Sequence, residues 1–434
     1  MDKHKKIKSL IINNISDEAK IIFKIFGDQV RLVGGAVRNL LIAKPVEDFD
    51  FATTLDCDTL IKKLKKYHIK TITLAKKYGT VIAVINNKNI EITHLRSDRD
   101  FQGRACEVDL VNDYYLDAQR RDFTINALYL DSQGFVYDYF NSLDDLKNQR
   151  VRFIGDPWQR INEDFLRILR FFRFSSQFAS DIDKDGLKAC LDNAVNLNKL
   201  SSERIKKEMF LIFNSLCNKQ LLKILEIFNH SKILNEIWGS SFDGKALEQY
   251  NSLQKQGNLS DNFNLKLAII HLNYSSQNEI YGFEFIEKID GSKQQKKYFY
   301  DFKISHDAFK KEFNELFLDL EINSHKNIFN ITIINKIKEL ITVYNYQNLF
   351  DILIFFIVKK NLDPKNLMVL KNFFDSFKLP KFILDGYDIK DLNLSGKQIS
   401  QALKLAKKYW LEKNFEITKS QLINYLKKIK FQKN

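Results

Sequence analysis

The first third of the chain alternates apolar and polar residues over short runs, as β-strands do. TVIAVI and IEITHL flank the polar turn NNKN, which predicts a β-hairpin. RLV before Gly34 and FDFAT around Asp50 are two more predicted strands, and AVRNLLIA between them is a predicted helix that ends at Lys44-Pro45. To about residue 150, strands and helices are therefore mixed.

From about Asn162 the pattern changes, because apolar residues recur at helical spacing and strand signals are rare. We find no internal repeat and no long low-complexity linker. The chain therefore predicts an α+β fold, in which a head with a mixed sheet and helices is followed by a long all-helical body.

The composition is that of a globular protein with several domains. The 434 residues carry a formal net charge of +14, which fits a polyanionic partner but also simple solubility. The four cysteines lie far apart with no CxxC pair, which argues against a zinc ribbon or a disulfide framework and favours a reducing compartment. We find no signal-peptide pattern and no run of roughly 18 apolar residues, so we expect a cytoplasmic protein without a membrane span.

The pair Gly34-Gly35 stands where the strand RLV turns into the helix AVRNLLIA. Backbone N–H groups at such a turn can bind phosphate, and glycine leaves room for the phosphate to approach. Arg38, one turn into the helix, would add a charge-assisted hydrogen bond to the same phosphates. An ordinary tight turn is the more common reason for an isolated glycine pair.

Asp48 and Asp50 are two residues apart, so that in a strand both side chains project to one face. Such carboxylates repel one another unless a cation lies between them, and Mg²⁺ commonly binds one or two carboxylates together with substrate phosphates. Glu91 interrupts the apolar strand IEITHL and would complete a three-carboxylate site. Solvent-exposed acidic residues on two strands are the alternative. Together with the glycine turn, the carboxylates suggest metal-dependent nucleotidyl transfer.

Two later stretches are rich in arginine. RRDFTINAL places two arginines before Asp122, the predicted N-cap of a helix. INEDFLRILRFFRF predicts an amphipathic helix with a buried stripe that includes Phe165 and Phe172. Arg167, Arg170 and Arg173 lie off that stripe, and three arginines at this spacing repel one another unless an anion or several acids face them.

In combination, these motifs resemble the class II tRNA nucleotidyltransferase and poly(A) polymerase family, within the polymerase-β-like superfamily. That family shows GGxVRDxLL, then DxD, then RRDFTINA, then EDxxRxxRxxRF, and the match covers roughly residues 28–210. VRFIGDPWQRINEDFLRILRFFRF is especially similar to bacterial CCA-adding members. The resemblance implies four segments: a polymerase-β-like catalytic head over 1–150, a helical neck for nucleotide selection over 151–210, a helical body over 211–330 and a helical, tRNA-binding tail over 331–434.

The resemblance also implies roles for individual residues. Asp48 and Asp50 would bind catalytic Mg²⁺, and Glu91 would belong to the same catalytic set. The residues that would contact the triphosphate or hold the nucleotide in the neck are Gly35, Arg38, Arg121, Arg170 and Arg173.

Asp164 and Arg167 would, by the same resemblance, take the place of a template. A carboxylate accepts a hydrogen bond from the amino group of cytosine or adenine, while a guanidinium donates to the adjacent ring acceptor. Uracil and guanine present a carbonyl where that amino group would be, so they are rejected. Glu163 is expected to orient Arg167 rather than to contact the base.

Three further features of the sequence bear on these expectations. Asn39 replaces the usual aspartate after VR, which weakens any bond to a nearby arginine. RSDRDFQGRA, residues 96–105, is expected to keep the flexible loop that A-addition requires in this family. His306-Asp307 is an HD dipeptide without the further ligands of a phosphohydrolase, so we expect no such activity and place His306 at the surface or at a helix cap.

The sequence thus predicts an enzyme that adds C, C and A to tRNA 3′ ends from CTP and ATP with Mg²⁺. A poly(A) polymerase or a CC-only or A-only enzyme on the same scaffold is the closest alternative. A non-catalytic RNA-binding protein is the alternative of another class, and the intact Asp48, Asp50 and Arg167 argue against it. The number of subunits stays open.

The last 31 residues are strongly basic. Lys404 to Asn434 contains nine lysines and two glutamates, a net charge of about +7, and its apolar residues have helical spacing. A solvated amphipathic helix is the simpler interpretation. The sharper hypothesis is that this end binds the tRNA phosphate backbone far from the active site, through Lys407, Lys408, Lys427, Lys428 and Lys430.

Overall fold

The computed structural model divides the chain into two compact units, Met1–Phe242 with Lys288–Asp290 and Asp243–Glu287 with Gly291–Asn434. The four-segment division stays a prediction. The residues that the structure describes are 3–6, 14–74, 76–102, 105–213, 219–237, 243–257, 262–270, 291–304, 306, 337, 346–359, 365–378, 380–392, 394, 396–413 and 415–429.

An eight-stranded mixed sheet organises the start of the first unit, with strand order β1-β10-β9-β2-β3-β6-β5-β4. A second sheet contains β7 and β8. The strands are β1 Lys3–Lys6, β2 Val30–Val33, β3 Asp50–Thr53, β4 Lys70–Ile72, β5 Thr80–Ile85, β6 Lys88–His94, β7 Arg96–Gln102, β8 Ala105–Leu110, β9 Leu128–Leu130 and β10 Phe135–Asp138.

Helices cover this sheet because their apolar faces pack on it. Ile22, Val37 and Leu60, one from each of the first three helices, belong with Val81 of β5 to one buried cluster. The helices of the first unit are α1 Asp17–Phe26, α2 Gly35–Leu41, α3 Cys57–Lys66, α4 Tyr114–Gln119, α5 Ser142–Lys147, α6 Pro157–Glu163, α7 Leu166–Phe178, α8 Lys184–Asp192, α9 Ser202–Phe213, α10 Lys219–Asn229 and α11 Lys232–Ile237.

The predicted hairpin is confirmed, since β5 and β6 pair antiparallel from Thr80–Thr93 to Ile85–Lys88. Its turn is shorter than predicted, with Asn86 and Asn87 at φ 50° and 61°, as two-residue hairpin turns require. The segment 96–105 differs from the expected loop, because β7 continues to Gln102 and pairs with β8. Residues 103 and 104 lie outside the described part of the chain.

The predicted helix through INEDFLRILRFFRF is instead two helices. α6 ends at Glu163, Asp164 is extended with φ −153° and ψ 109°, and α7 begins at Leu166. Phe165 therefore caps α7 rather than lying in a continuous stripe, whereas Phe172 is buried as predicted. The break places Asp164 at a corner between two helices instead of along one helical face.

Helices are the only regular secondary structure among the described residues of the second unit. Trp410, Ala406 and Leu422 belong to a buried cluster near its C-terminal end. A further helical stretch covers 293–304. The other helices are α12 Gly244–Gly257, α13 Phe263–Ile270, α14 Tyr346–Lys359, α15 Lys365–Ser376, α16 Gly396–Glu412 and α17 Lys419–Lys427.

His306 is not at the surface or at a helix cap, as the sequence had suggested. Its ring is fully buried and stacks on Phe356, with an edge contact to Phe355. Asp307 lies outside the described residues. In the described segments, the helices are too short or too polar to cross a membrane.

Candidate active site

A cavity of about 1080 Å³ in the first unit gathers every site residue that the sequence predicts. Its lining comes from the strand–helix turn after β2, from β3 and β6, from the RRD segment and from one face along the length of α7. The ten predicted residues in this lining are Gly35, Arg38, Asp48, Asp50, Glu91, Arg121, Asp164, Arg167, Arg170 and Arg173.

The acidic part of the lining is built on two parallel strands. Asp50 of β3 is the register partner of Glu91 of β6. Asp48 precedes β3, which begins at Asp50, so the predicted strand is shorter than FDFAT. The alternation nevertheless holds, because Phe49 and Phe51 are buried while Asp48 and Asp50 are exposed. The three carboxylates therefore face the same cavity.

These carboxylates disfavour one another's charge. Asp50 is open to the cavity, but the surrounding walls partly desolvate its carboxylate and raise its pKa to about 6. The nearby Glu91 and Asp48 carboxylates add to the rise, while Arg121 opposes it. Within the described residues, no three His, Cys, Asp or Glu side chains are arranged as a ready metal cluster. The donor set fits a hard cation that binds two carboxylates and completes its shell with substrate phosphates.

The glycine turn is shaped by backbone geometry. Gly34 has φ 72°, which favours glycine, and its N–H donates to the Leu128 carbonyl at 3.1 Å. A Cβ on Gly34 would lie 3.5 Å from Arg121 Nη1, and one on Gly35 would lie 3.4 Å from Arg38 Nη2. The absence of these side chains lets two guanidinium groups approach the turn.

Arg38 is buried in the wall of the cavity. Its Nε and Nη2 donate to Asn39 Oδ1 at 3.1 and 3.0 Å, so the residue that replaces the family's aspartate serves as a neutral acceptor. Its Nη1 donates to Asn126, and its guanidinium lies 4.1 Å from the ring centre of Phe178. Desolvation and the neighbouring Arg173 lower the pKa of Arg38 to about 10. An anion in the cavity would relieve this repulsion.

Asp117 holds the two arginines of the RRD segment. Its Oδ1 accepts from Arg120 Nη2 at 2.7 Å and its Oδ2 accepts from Arg121 Nη2 at 2.9 Å. The Tyr129 hydroxyl also donates to Oδ2, at 2.7 Å. Burial disfavours the Asp117 carboxylate, but Arg121 and Arg120 outweigh it and hold its pKa far below the usual range. Arg121 is thereby fixed between Gly34 and Asp117.

Asp122 is not the N-cap of a helix, because the following turn, Thr124–Asn126, is a short 3₁₀ segment with Phe123 at its N-cap. Its Oδ2 accepts from Arg170 Nε at 2.7 Å, and its Oδ1 accepts from the Asn126 side chain at 3.1 Å. Burial disfavours the Asp122 carboxylate, but Arg170 outweighs it and lowers its pKa. The third residue of RRD thus joins the head to α7.

The two proposed template residues have different partners. Arg167 is buried and pairs with Glu163, as the sequence suggested, and its Nη1 also donates to the Arg160 carbonyl at 2.6 Å. Asp164 Oδ1 accepts from the Leu166 N–H at 3.0 Å, and its Oδ2 accepts from Arg204 Nη2 at 2.7 Å. Both residues line the cavity, and their hydrogen bonds restrict the directions in which they point.

Acids face the arginines of α7, as their spacing requires. Arg173 Nε lies 3.0 Å from Glu208 Oε2, and Arg170 Nη1 lies 3.6 Å from Glu208 Oε1. Burial raises the pKa of Glu208 although both arginines oppose that rise. No motif in the sequence predicted a role for Glu208, Arg204 or Asp117. The RRD motif could have pointed to Asp117 three residues upstream, but no local pattern marks the other two.

Comparisons with known proteins agree with this geometry. The family model described as "Poly A polymerase head domain" matches residues 30–152. The mouse mitochondrial CCA tRNA nucleotidyltransferase 1 is 30% identical over 92% of this chain and 87% of its own length. The CCA-adding enzyme of Staphylococcus epidermidis is 36% identical over 49% of this chain and 54% of its own length.

Solved structures of CCA-adding enzymes have a similar fold. The crystal structure of the Bacillus stearothermophilus CCA-adding enzyme in complex with CTP superposes with a TM-score of 0.70 at 20% identity. The superposition covers 95% of this chain and 98% of that one, which establishes a shared fold from head to tail. The similarity to the mouse enzyme over nearly its whole length establishes more, namely that the chain belongs to the class II tRNA nucleotidyltransferase and poly(A) polymerase family.

Proposed function

We propose that this protein adds C, C and A to the 3′ end of tRNA from CTP and ATP and releases pyrophosphate. One observation carries the proposal: a single cavity holds both the carboxylates suited to nucleotidyl transfer and the Asp164–Arg167 pair suited to base selection. The names of the relatives support it, because the mouse protein is named CCA tRNA nucleotidyltransferase 1 and the Staphylococcus epidermidis protein is named CCA-adding enzyme.

The basic part of the lining binds and orients the incoming triphosphate in this proposal. Arg38 and Arg121 approach the glycine turn, so their guanidinium groups donate to phosphate oxygens that Gly35 leaves room for. Arg170 and Arg173 extend the same positive surface along α7. Fixed donors of this kind stabilise the charge that develops as the bond to pyrophosphate breaks.

The acidic part of the lining serves the attacking 3′-hydroxyl. Asp48 and Asp50 would hold Mg²⁺, with Glu91 beside them. When bound, the metal lowers the pKa of the hydroxyl and offsets the charge of the triphosphate. The elevated pKa of Asp50 fits such a role, because a cation between the carboxylates removes the repulsion that raises it.

Base selection would follow from the hydrogen-bonding groups of Asp164 and Arg167. The Asp164 carboxylate accepts from the amino group of cytosine or adenine, and Arg167 donates to the neighbouring ring nitrogen. Glu163 pairs with Arg167 and so fixes its orientation. Uracil and guanine would place a carbonyl oxygen against a carboxylate and be excluded.

We assign tRNA binding to the helical body and tail. Lys404, Lys408, Lys427 and Lys428 are exposed on or beside α16 and α17, while Tyr409 and Tyr425 stack on each other with ring centres 3.9 Å apart. The aromatic residues thus pack together as the simpler interpretation predicts, and the lysines stay available for phosphates. Of the predicted lysines, Lys407 is half-buried and Lys430 lies outside the described residues. For the compartment, the cytoplasm stays our prediction, although the mouse relative carries the name mitochondrial.

The decisive experiment incubates the purified protein with tRNA that ends before CCA, with labelled nucleotides supplied one at a time and together. CTP alone should extend the tRNA by two residues, and CTP with ATP by three. A poly(A) polymerase would instead add many A residues, and a CC-only or A-only enzyme would stop early. No incorporation of any nucleotide would favour a non-catalytic RNA-binding protein.

A further inference from the structure

Helix α9 contacts both parts of the nucleotide-selecting machinery although it lies outside every motif found in the sequence. Arg204 donates from Nη2 to Asp164 Oδ2 at 2.7 Å. Glu208, four residues further along, pairs with Arg170 and Arg173. Residues at this spacing lie on one face of a helix, and α9 packs that face against α7.

The local conformation explains why Asp164 needs such support. Asp164 lies at the extended corner between α6 and α7, so helical packing does not restrict its side chain. The Leu166 N–H holds one carboxylate oxygen, and Arg204 holds the other. These two bonds, from different elements, define the plane of the carboxylate and leave the remaining lone pairs for a ligand.

Glu208 meets a different need on the same helix. Arg170 and Arg173 lie one turn apart on α7 and repel one another, and Asp122 neutralises only one side of Arg170. Glu208 is buried, with 4% of its surface exposed, and its two oxygens face the two guanidinium groups. A buried acid in this place keeps both arginines directed along the wall of the cavity.

We propose that Arg204 and Glu208 are positioning residues for nucleotide selection: Arg204 orients the Asp164 carboxylate toward the base, and Glu208 holds Arg170 and Arg173 at the nucleotide. The inference rests on the proposed function, because it assigns a selective role to Asp164. Arg204 acts through Asp164 and Glu208 acts through the arginines. Selectivity and nucleotide affinity should therefore be lost separately in variants of the two residues.

The test for Arg204 compares kcat/KM for CTP with that for UTP on tRNA lacking CCA. In Arg204→Gln this ratio should fall roughly tenfold, because a misdirected carboxylate loses a hydrogen bond that discriminates between bases. Arg204→Lys keeps one charge and one donor and should recover part of the ratio. Lys206→Gln removes a positive charge from the same helix and should leave the ratio unchanged. A folded Arg204→Gln variant with the wild-type ratio would overturn the inference.

A double-variant cycle separates positioning from a general structural effect. If Arg204 acts through Asp164, adding Arg204→Gln to Asp164→Asn should cause no further loss of selectivity. Full additivity of the two losses would contradict the inference. If Arg204→Gln does not fold in thermal melting, the same cycle is run with Arg204→Lys, and additivity there has the same meaning.

The test for Glu208 measures a different constant. Glu208→Gln should raise the KM for CTP roughly tenfold and keep the CTP-to-UTP ratio, since the arginines hold phosphate or sugar rather than read the base. Glu203→Gln is the matched control on the exposed side of α9. An unchanged KM in folded Glu208→Gln would overturn this half of the inference. Failure of the proposed function looks different, because the wild-type protein itself would not incorporate CTP and ATP into tRNA.

Discussion

Asp50 and Glu91 occupy directly paired positions on two neighbouring parallel strands, and both carboxylates open into the same cavity. Paired side chains on adjacent strands lie close together, and like charges in that arrangement are destabilising. The fold therefore holds a repulsive pair in place. A cation at this point would turn the repulsion into attraction, which is why we place the metal here.

Removal of one metal ligand should nearly abolish catalysis. In Asp48→Asn or Asp50→Asn we expect kcat/KM for nucleotide incorporation to fall by roughly a thousandfold or more, because the metal stabilises the transition state by several kcal/mol. Circular dichroism should show an unchanged fold. Asp185→Asn, the same substitution at an exposed site on α8, is the control. Near-normal turnover in both cavity variants would exclude the metal assignment.

The stability of the metal-free protein should depend on pH through Asp50. Its pKa is about 6 in the folded protein against an ordinary value of 3.8, so the folded state binds the proton more tightly. Ionisation of Asp50 therefore destabilises the fold as pH rises from 3.8 to about 6, and the full cost is present above that range. With a chelator present, Asp50→Asn should raise Tm at about pH 7.5, and the gain should shrink toward pH 4. A gain of equal size at both pH values would contradict this account.

Glu91 should account for part of the raised pKa of Asp50. Because its carboxylate raises the pKa of Asp50, Glu91→Gln should lower the pKa of Asp50. Carbon-13 NMR of labelled aspartate side chains can follow this titration in the metal-free protein. In the wild type, Mg²⁺ should raise Tm less as the pH falls below about 6, because the metal must then displace a proton. A pKa of Asp50 that is the same in Glu91→Gln would show that the pairing carries little electrostatic coupling.

Removal of the guanidinium group of Arg167 should lower nucleotide selectivity as well as the rate of incorporation. Arg167→Ala should lower the preference for CTP and ATP over UTP and GTP by about 1–3 kcal/mol, the usual value of a bidentate base contact. Arg150→Ala, at a position of similar charge but exposed outside the cavity, provides the comparison. If Arg167→Ala remains fully selective, the template role is wrong.

The basic C-terminal segment, Lys404 to Asn434, should bind the tRNA phosphates through its positively charged lysines. Replacement of Lys404, Lys408, Lys427 and Lys428 by Gln should weaken tRNA binding and reduce the log–log salt slope by up to about 0.9 for each lost phosphate contact, the value for duplex DNA. Incorporation at saturating tRNA should persist. Binding is measured by fluorescence anisotropy over a range of salt concentrations. Replacement of four exposed lysines of the first unit, Lys62, Lys65, Lys66 and Lys70, by Gln serves as the control. If the tRNA affinity and the salt slope are unchanged, these lysines do not bind tRNA and the solvated amphipathic helix is the correct interpretation.

The elements that the sequence predicted correctly are those that depend on interactions between residues close together in the chain. The hairpin of β5 and β6 follows from strand alternation and an Asn-Asn turn, and the glycine turn after β2 follows from its sequence. The corner at Asp164 was missed because an amphipathic pattern runs across it unchanged, while its partner Arg204 lies 40 residues away in sequence. The buried position of His306 was missed for a similar reason, since it depends on aromatic residues about 50 positions further on.

Asp122 shows why the motifs predicted which residues line the cavity better than they predicted the hydrogen-bond partners of those residues. The RRD motif predicted Arg121 as a site residue, and Arg121 lines the cavity. The helix-capping role predicted for Asp122 was wrong, because its carboxylate accepts from Arg170 and Asn126 instead. A motif identifies which residues matter together. The partner of each residue depends on three-dimensional packing, which sequence spacing alone does not encode.

The bonds between the RRD segment and the first neck helices also restrict how such proteins can recombine. Arg160 donates to the Arg121 carbonyl at 2.7 Å, and Arg170 pairs with Asp122, so head and neck share one set of contacts across the cavity. Consider a chimera that joins the head of one family member to the neck of another near residue 150. One partner of each of these contacts then comes from each parent protein, so the two partners need not match. Productive chimeras should therefore need either a junction beyond α7 or matched partners on both sides.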